Sequence, residues 1–102
     1  MCGIFGIATG AGRRVGLNDA AAVRLRDMLA RRGPDGAGLW RSGDGQFLLA
    51  HRRLAVVDLS AAGSQPMVLS DGAGEAWALA YNGELYNDEE LREELRREGA
   101  VF

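Results

Sequence analysis

The sequence contains no lysine: all 12 of its basic residues are arginine. Schiff-base catalysis through a lysine amine is therefore excluded, and so is phosphate binding by a P-loop lysine. Cysteine occurs once, so no internal disulfide can form, which agrees with a reducing compartment. Histidine also occurs once, and one cysteine with one histidine cannot build a zinc site of the usual kind. No apolar run approaches the roughly 18–20 residues that span a bilayer. The N-terminus lacks a basic region and a long apolar region, so it does not read as a signal peptide. The expectation is a soluble, cytoplasmic protein with no membrane partner. A net charge of −2 leaves no basic footprint for nucleic acid.

What remains is the composition of an ordinary globular chain, 47% apolar and 25% charged. Its 102 residues suffice for one small domain at most. Residues 3–8, "GIFGIA", have the length and apolar character of a strand. "TGAGRRVG" follows. Its Gly10-x-Gly12-x-x-x-Gly16 spacing is not the dinucleotide fingerprint, and it reads as a loop. "NDAAAVRLRDMLARRG" reads as a helix capped by Asn18 or Asp19 and stopped by Gly33-Pro34. Leu17, Ala21, Leu25, Met28 and Leu29 recur at helical spacing and predict one buried stripe. Two hairpins are expected next. One joins "GLW" to "QFLLAHRRLAVVDL" through "SGDG"; the other joins "PMVLS" to "EAWALAYNGELY" through "DGAG". "NDEELREELRREG" predicts a second helix, with Asn87 and Glu90 as a capping box and Leu91 and Leu95 inward. Asp88 and Arg92, and Glu93 and Arg97, are spaced for weak surface pairs. "AVF" at 100–102 reads as the start of a further strand, so the chain is expected to be part of a longer unit.

Four stretches could carry chemistry. The only cysteine is Cys2. A small buried side chain is one reading. The other is a nucleophile whose own α-amine becomes free, and able to act as a base, once Met1 is removed. "YNGELYN", 81–87, reads as a tight turn. Alternatively, the Asn82 side-chain amide and the Gly83 N–H form an oxyanion hole, with Glu84 receiving a substrate ammonium. "ARRGPDG", 30–36, contains a helix stop and a turn. In "AHRRLAVVDLS", 50–60, an arginine entering a strand could hold a carboxylate bidentately. His51 there suits a structural hydrogen bond better than a ligand or triad role.

In this order, "MCGIFGI", "RRGPDG", "HRRLAVVDLS", "SQPM" and "YNGELYN" resemble the N-terminal glutaminase domain of glutamine-hydrolysing asparagine synthetases. That domain belongs to the N-terminal-nucleophile class of amidotransferases. The resemblance implies an α+β fold, a four-layer αββα sandwich present here as its N-terminal part, residues 1–102. It implies glutamine as substrate and Cys2 as nucleophile, with Asn82 and Gly83 as oxyanion donors. Arg53 would clamp the substrate α-carboxylate, with Arg52 at the family's variable position. Backbone near Leu54 and Val56 would line the pocket, and Glu84 would contact the α-amine. Arg32 and His51 would support the site, while Asp35 and Gly36 would form its turns. No cofactor is implied for these residues. ATP and magnesium would belong to an absent C-terminal synthetase domain, and a homodimer is allowed for the full-length protein. The family's further aspartate for the ammonium would lie just past "AVF", outside these residues. Alone, such a part is expected to leave sheet edges and apolar faces uncovered and so to fold poorly, aggregate or associate. "SQPM" and "NGELYN" resemble the asparagine-synthetase branch more than the purine or glucosamine-phosphate branches. Two alternatives stay open: an amidotransferase of the same family acting on another carboxylate, of peptides or cell-surface saccharides, and a truncated non-catalytic fragment or binding module.

Overall fold

Small and apolar residues after Cys2 form strand β1, Gly3–Ala8. In the computed structural model, which describes residues 1–74 and 76–102, it is followed by helix α1, Asp19–Asp27, and strands β2, Gly36–Arg41, and β3, Phe47–Arg53. A short 3-10 turn, Ala61–Gly63, leads to strands β4, Met67–Ser70, and β5, Ala76–Leu79, and then to helix α2, Asp88–Arg97. Strands β1, β3 and β2 make an antiparallel sheet in that order, and β4 pairs with β5. The fold is thus a small mixed α/β unit.

The period-two alternation of β3 decides what faces what. Leu48 and Ala50 are fully buried with Val15 and Ala22, and Phe5, Ile7, Leu17 and Leu39 close around them. Burying a leucine of this kind stabilises by about 1.5–3 kcal/mol. Helix α1 covers this face. Phe47, Leu49, His51 and Arg53 point to the other face, toward the β4–β5 hairpin. There Trp40, Phe47 and Leu49 line a crevice of about 470 Å³ with Trp77 and Ala78.

Helix α1 starts where its cap was expected: Asn18 Oδ1 accepts from the Ala21 N–H at 2.8 Å. It ends earlier than expected, at Asp27. Residues 29–32 tighten into i→i+3 bonds, from Leu29 N to Arg26 O, Ala30 N to Asp27 O, and Arg32 N to Leu29 O. The expected stripe is accordingly corrected. Ala22 is the fully buried contact, whereas Leu25 is 44% and Met28 78% exposed. A small residue at the contact lets the helix lie close on Leu48 and Ala50.

Strand β3 also stops short of the predicted run, at Arg53. Side chains capture the next backbone groups. The Ala55 N–H donates to Asp35 Oδ2 at 2.9 Å and the Ser60 N–H to Asp58 Oδ1 at 2.8 Å. Strand β5 ends at Leu79, because the Tyr81 N–H turns to Gln65 Oε1 at 2.5 Å. The expected first residue of that strand, Glu75, lies outside the described residues.

The capping box of α2 is not formed. Asn87 has φ −106° and ψ 31° instead of the extended backbone that aims a cap side chain, and it makes no side-chain cap bond. Both surface pairs are present, Arg92–Asp88 at 3.7 Å and Arg97–Glu93 at 3.3 Å. No α2 residue is buried among those described; Leu95 is 42% exposed. Residues 100–102 form no strand. The Phe102 ring instead lies under the guanidinium groups of Arg92 and Arg96, 5.2 and 5.8 Å from its centroid.

Candidate active site

The β1–β3 register pairs Gly3 with Arg52 and Ile4 with His51. One step earlier, Cys2 stands opposite Arg53, on the face turned away from α1. Residues 51 apart in sequence thus share one end of the sheet. Cys2 is half-buried. Its Sγ accepts from the Leu54 N–H at 3.3 Å and faces the Leu54 carbonyl oxygen at 3.7 Å. Arg32 Nε donates to the Cys2 carbonyl at 3.2 Å, which pins the backbone of Cys2. Met1 is 74% exposed, so its removal meets no packing obstacle.

A pocket of about 230 Å³ opens beside the thiol. Cys2, Arg53, Leu54, Val56, Asp58 and Glu84 are among the residues that line it. It therefore brings together five of the residues named from sequence: Cys2, Arg53, Leu54, Val56 and Glu84. Asn82 and Gly83 are not among its lining residues and are exposed on the loop after β5. That loop curls on itself: the Tyr81 hydroxyl donates to the Glu84 carbonyl at 3.5 Å. Arg32 and His51 are not among the residues that line the pocket.

Adjacent arginines of β3 do opposite work. Arg52 points toward α1, where Nε donates to Gly33 O at 2.9 Å and Nη1 meets Asp27 at 3.4 Å. Arg53 is on the opposite face and is among the residues that line the pocket. Sequence reasoning missed the parts that hold this corner. Asp35 is more than a turn-former: its N–H donates to Arg53 O at 2.9 Å while its carboxylate takes the Ala55 N–H. Asp58, Gly63 and Gln65 line the pocket as well. Asp-x-Ser at 58–60, a common side-chain-to-backbone turn pattern, was the available signal for the first of these.

His51 is fully buried. Its Nε2 lies 3.3 Å from Tyr81 O, an acceptor, so Nε2 carries the proton. Nδ1 has no hydrogen-bond partner among the described residues. Burial holds the imidazole below its ordinary pKa of 6.5; the Tyr81 carbonyl opposes this, and the Arg53 charge adds to it. The unfolded chain therefore takes up this proton first as pH falls. His51's contribution to stability is expected to be complete above pH 6.5 and to decline below it. Carboxylates held low, Asp27, Asp44 and Asp58, titrate from below 3.8 and stay out of that window. Melting temperatures between pH 7.5 and 5 should thus fall more steeply for the wild type than for His51→Gln. Parallel curves would show that the buried imidazole is not the acid-sensitive group.

A thiol, a guanidinium and a carboxylate around one small pocket are the equipment of a nucleophilic site for an amino-acid-sized ligand. Among the described residues no group of three or more His, Cys, Asp or Glu could hold a metal ion, and no helix is long and apolar enough to cross a membrane.

Comparison with known proteins places this equipment in a family. The profile of the glutamine amidotransferase domain matches residues 1–102, and the chain belongs to that family. It is 47% identical over 79 residues to asparagine synthetase [glutamine-hydrolyzing] 3 of Bacillus subtilis, covering 78% of this chain and 12% of that protein. It is 41% identical over 100 residues to a probable asparagine synthetase [glutamine-hydrolyzing] of Dictyostelium discoideum, covering 93% and 16%. With asparagine synthetase [glutamine-hydrolyzing] 1 of Arabidopsis thaliana it shares 40% identity over 102 residues, covering 94% and 15%. The chain thus spans less than a fifth of the length of these curated relatives. No solved structure matches it significantly.

Proposed function

We propose that these residues hydrolyse the side-chain amide of glutamine through Cys2, as the front of the glutaminase part of an asparagine synthetase. The observation that carries this reading is the register of β1 on β3, which sets the Cys2 thiol and the Arg53 guanidinium in one pocket. Glu84 in the same wall supplies a charge for the substrate α-ammonium. An amino acid with both α-groups held there presents its side chain toward the thiol.

Once Met1 is removed, the α-amine of Cys2 has a pKa of about 7.7–8.0 and serves as a base at neutral pH. It takes the thiol proton, and sulfur attacks the amide carbon. The carbonyl π pair moves to oxygen, where the Asn82 amide and the Gly83 N–H are the proposed donors. The loop that bears them reaches the pocket at Glu84, which supports this assignment. As the carbonyl re-forms, the C–N bond breaks and the ammonium returns its proton to the leaving ammonia. Water then attacks the thioester and gives its proton to the amine. The C–S bond breaks, and the sulfur regains a proton. Glutamine and water thus give glutamate and ammonia, with no cofactor consumed.

By analogy with the relatives, the ammonia passes to an ATP-activated aspartate in the complete, cytoplasmic protein, where ATP and magnesium are bound outside these residues. A four-layer αββα sandwich is the fold proposed for the complete domain, with these residues as its first part.

The test is an assay of ammonia release from L-glutamine and from 4-aminobutanamide, which has the same amide and amine but no α-carboxylate. Losing a hydrogen-bonded charge contact costs about 1.5–3 kcal/mol, so kcat/KM for the second amide should be lower by roughly ten- to a hundredfold. Equal rates for both, or no ammonia released by the protein freed of Met1, would refute the reading.

A further inference from the structure

Arg53 does not hang free from β3. Its Nη1 donates to Ser60 O at 2.7 Å and its Nη2 to Asp58 O, with Asp58 Oδ2 3.9 Å from Nη2. The loop that makes these contacts is folded by Asp58 itself. Asp58 Oδ1 accepts from the Ser60 N–H at 2.8 Å, and Ser60 Oγ accepts from the Ala62 N–H at 3.2 Å to begin the 3-10 turn. Gly63 closes the cradle: a Cβ there would overlap Arg53 Nη2 and stand 3.0 Å from Asp58 Oδ2. Asp58 and Gly63 both line the pocket with Cys2.

Each terminal nitrogen of a guanidinium carries two hydrogens. Here each gives one to the loop, so at most one on each remains for a ligand. A guanidinium held on two carbonyls is pre-organised for a carboxylate, because less rotamer freedom is lost on binding. The Asp58–Arg53 ion pair itself contributes little, since the Asp58 side chain is 49% exposed and its charge is screened. The value of Asp58 is therefore in its acceptor geometry more than in its charge.

We propose that Asp58 is a positioning residue that shapes loop 58–63 around the Arg53 guanidinium and so sets the affinity for the substrate α-carboxylate. It rests on the glutamine reading above and names the residue that tunes its carboxylate subsite. Asp58 acts through Arg53 and does not touch the reacting amide.

Asp58→Ala removes the acceptor for Ser60; Asp58→Asn keeps an oxygen there and removes the charge. In the protein freed of Met1, Asp58→Ala is expected to raise KM for L-glutamine about tenfold and to change kcat by less than about threefold. Its turnover of 4-aminobutanamide should be unaltered, and Asp58→Asn should stay within about twofold of wild type on both amides. Titration calorimetry with L-glutamate gives the same comparison without turnover. If glutamate binds the wild type and binds Asp58→Ala about tenfold more weakly, the positioning role stands even where glutamine is not hydrolysed, so the two readings fail separately. An unchanged KM and glutamate affinity in Asp58→Ala would overturn the proposal. So would an equal loss on both amides, or Asp58→Asn as impaired as Asp58→Ala.

Discussion

Replacement of Cys2 by serine is expected to lower glutamine hydrolysis by at least about a thousandfold, the order lost when a covalent nucleophile is removed from a site that acts as a unit. Serine keeps the size of the side chain and the position opposite Arg53. It replaces the sulfur by an oxygen that is the weaker nucleophile. Sulfur also makes the better leaving group when water opens the intermediate. The pocket remains, so L-glutamate should still bind within about twofold of wild type, because Arg53 and Glu84, the groups proposed to hold its α-groups, are unchanged. Activity loss with retained binding separates chemistry from folding. A serine variant that hydrolyses glutamine within a factor of about ten of wild type would remove Cys2 from the mechanism.

The second large effect is on the fold. Gly33→Ala should destabilise by about 3 kcal/mol or more. An alanine Cβ at this position would overlap the Arg52 carbonyl and the Arg53 nitrogen. Those are backbone atoms of β3 and cannot swing aside as a side chain can. The loop would have to lift, and with it the bonds that join the two motifs: Arg52 Nε to Gly33 O and Asp35 N to Arg53 O, both 2.9 Å. The cost is purely steric, because Gly33 does not occupy the left-handed backbone region. Gly16→Ala is the matched control: nothing lies within 4 Å of its Cβ, so its stability should move by less than about 1 kcal/mol. Urea midpoints with unchanged slopes would measure both. Equal midpoints would mean that "RRGPDG" and "HRRL" are not packed as described.

Sequence legibility followed the range of the interaction. The Asn18 cap, the "SGDG" and "DGAG" hairpins and the pairs on α2 depend on neighbours a few residues away, and each appears as read. The Asn87 capping box is the local exception, since its backbone takes another conformation. The end of β3 was not legible. Nothing in "RRLAVVDL" announces that Asp35, 20 residues earlier, captures the Ala55 N–H. The buried stripe of α1 was misread for a similar reason, because an early helix end puts Met28 beyond the contact. For the site, periodicity alone could not bring Cys2 to Arg53. The family resemblance did so, and the strand register supplies the physical reason. The cradle around Arg53 escaped because it consists mostly of backbone carbonyls, which no residue type advertises.

The most direct test of the central claim is the intact mass of the protein before and after exposure to a γ-glutamyl diazoketone, with the adduct mapped to its residue. The account predicts a mass lacking Met1 and one adduct, on Cys2, formed much faster in the folded protein than in urea. Retained Met1, with labelling no faster than in the unfolded chain, would contradict it.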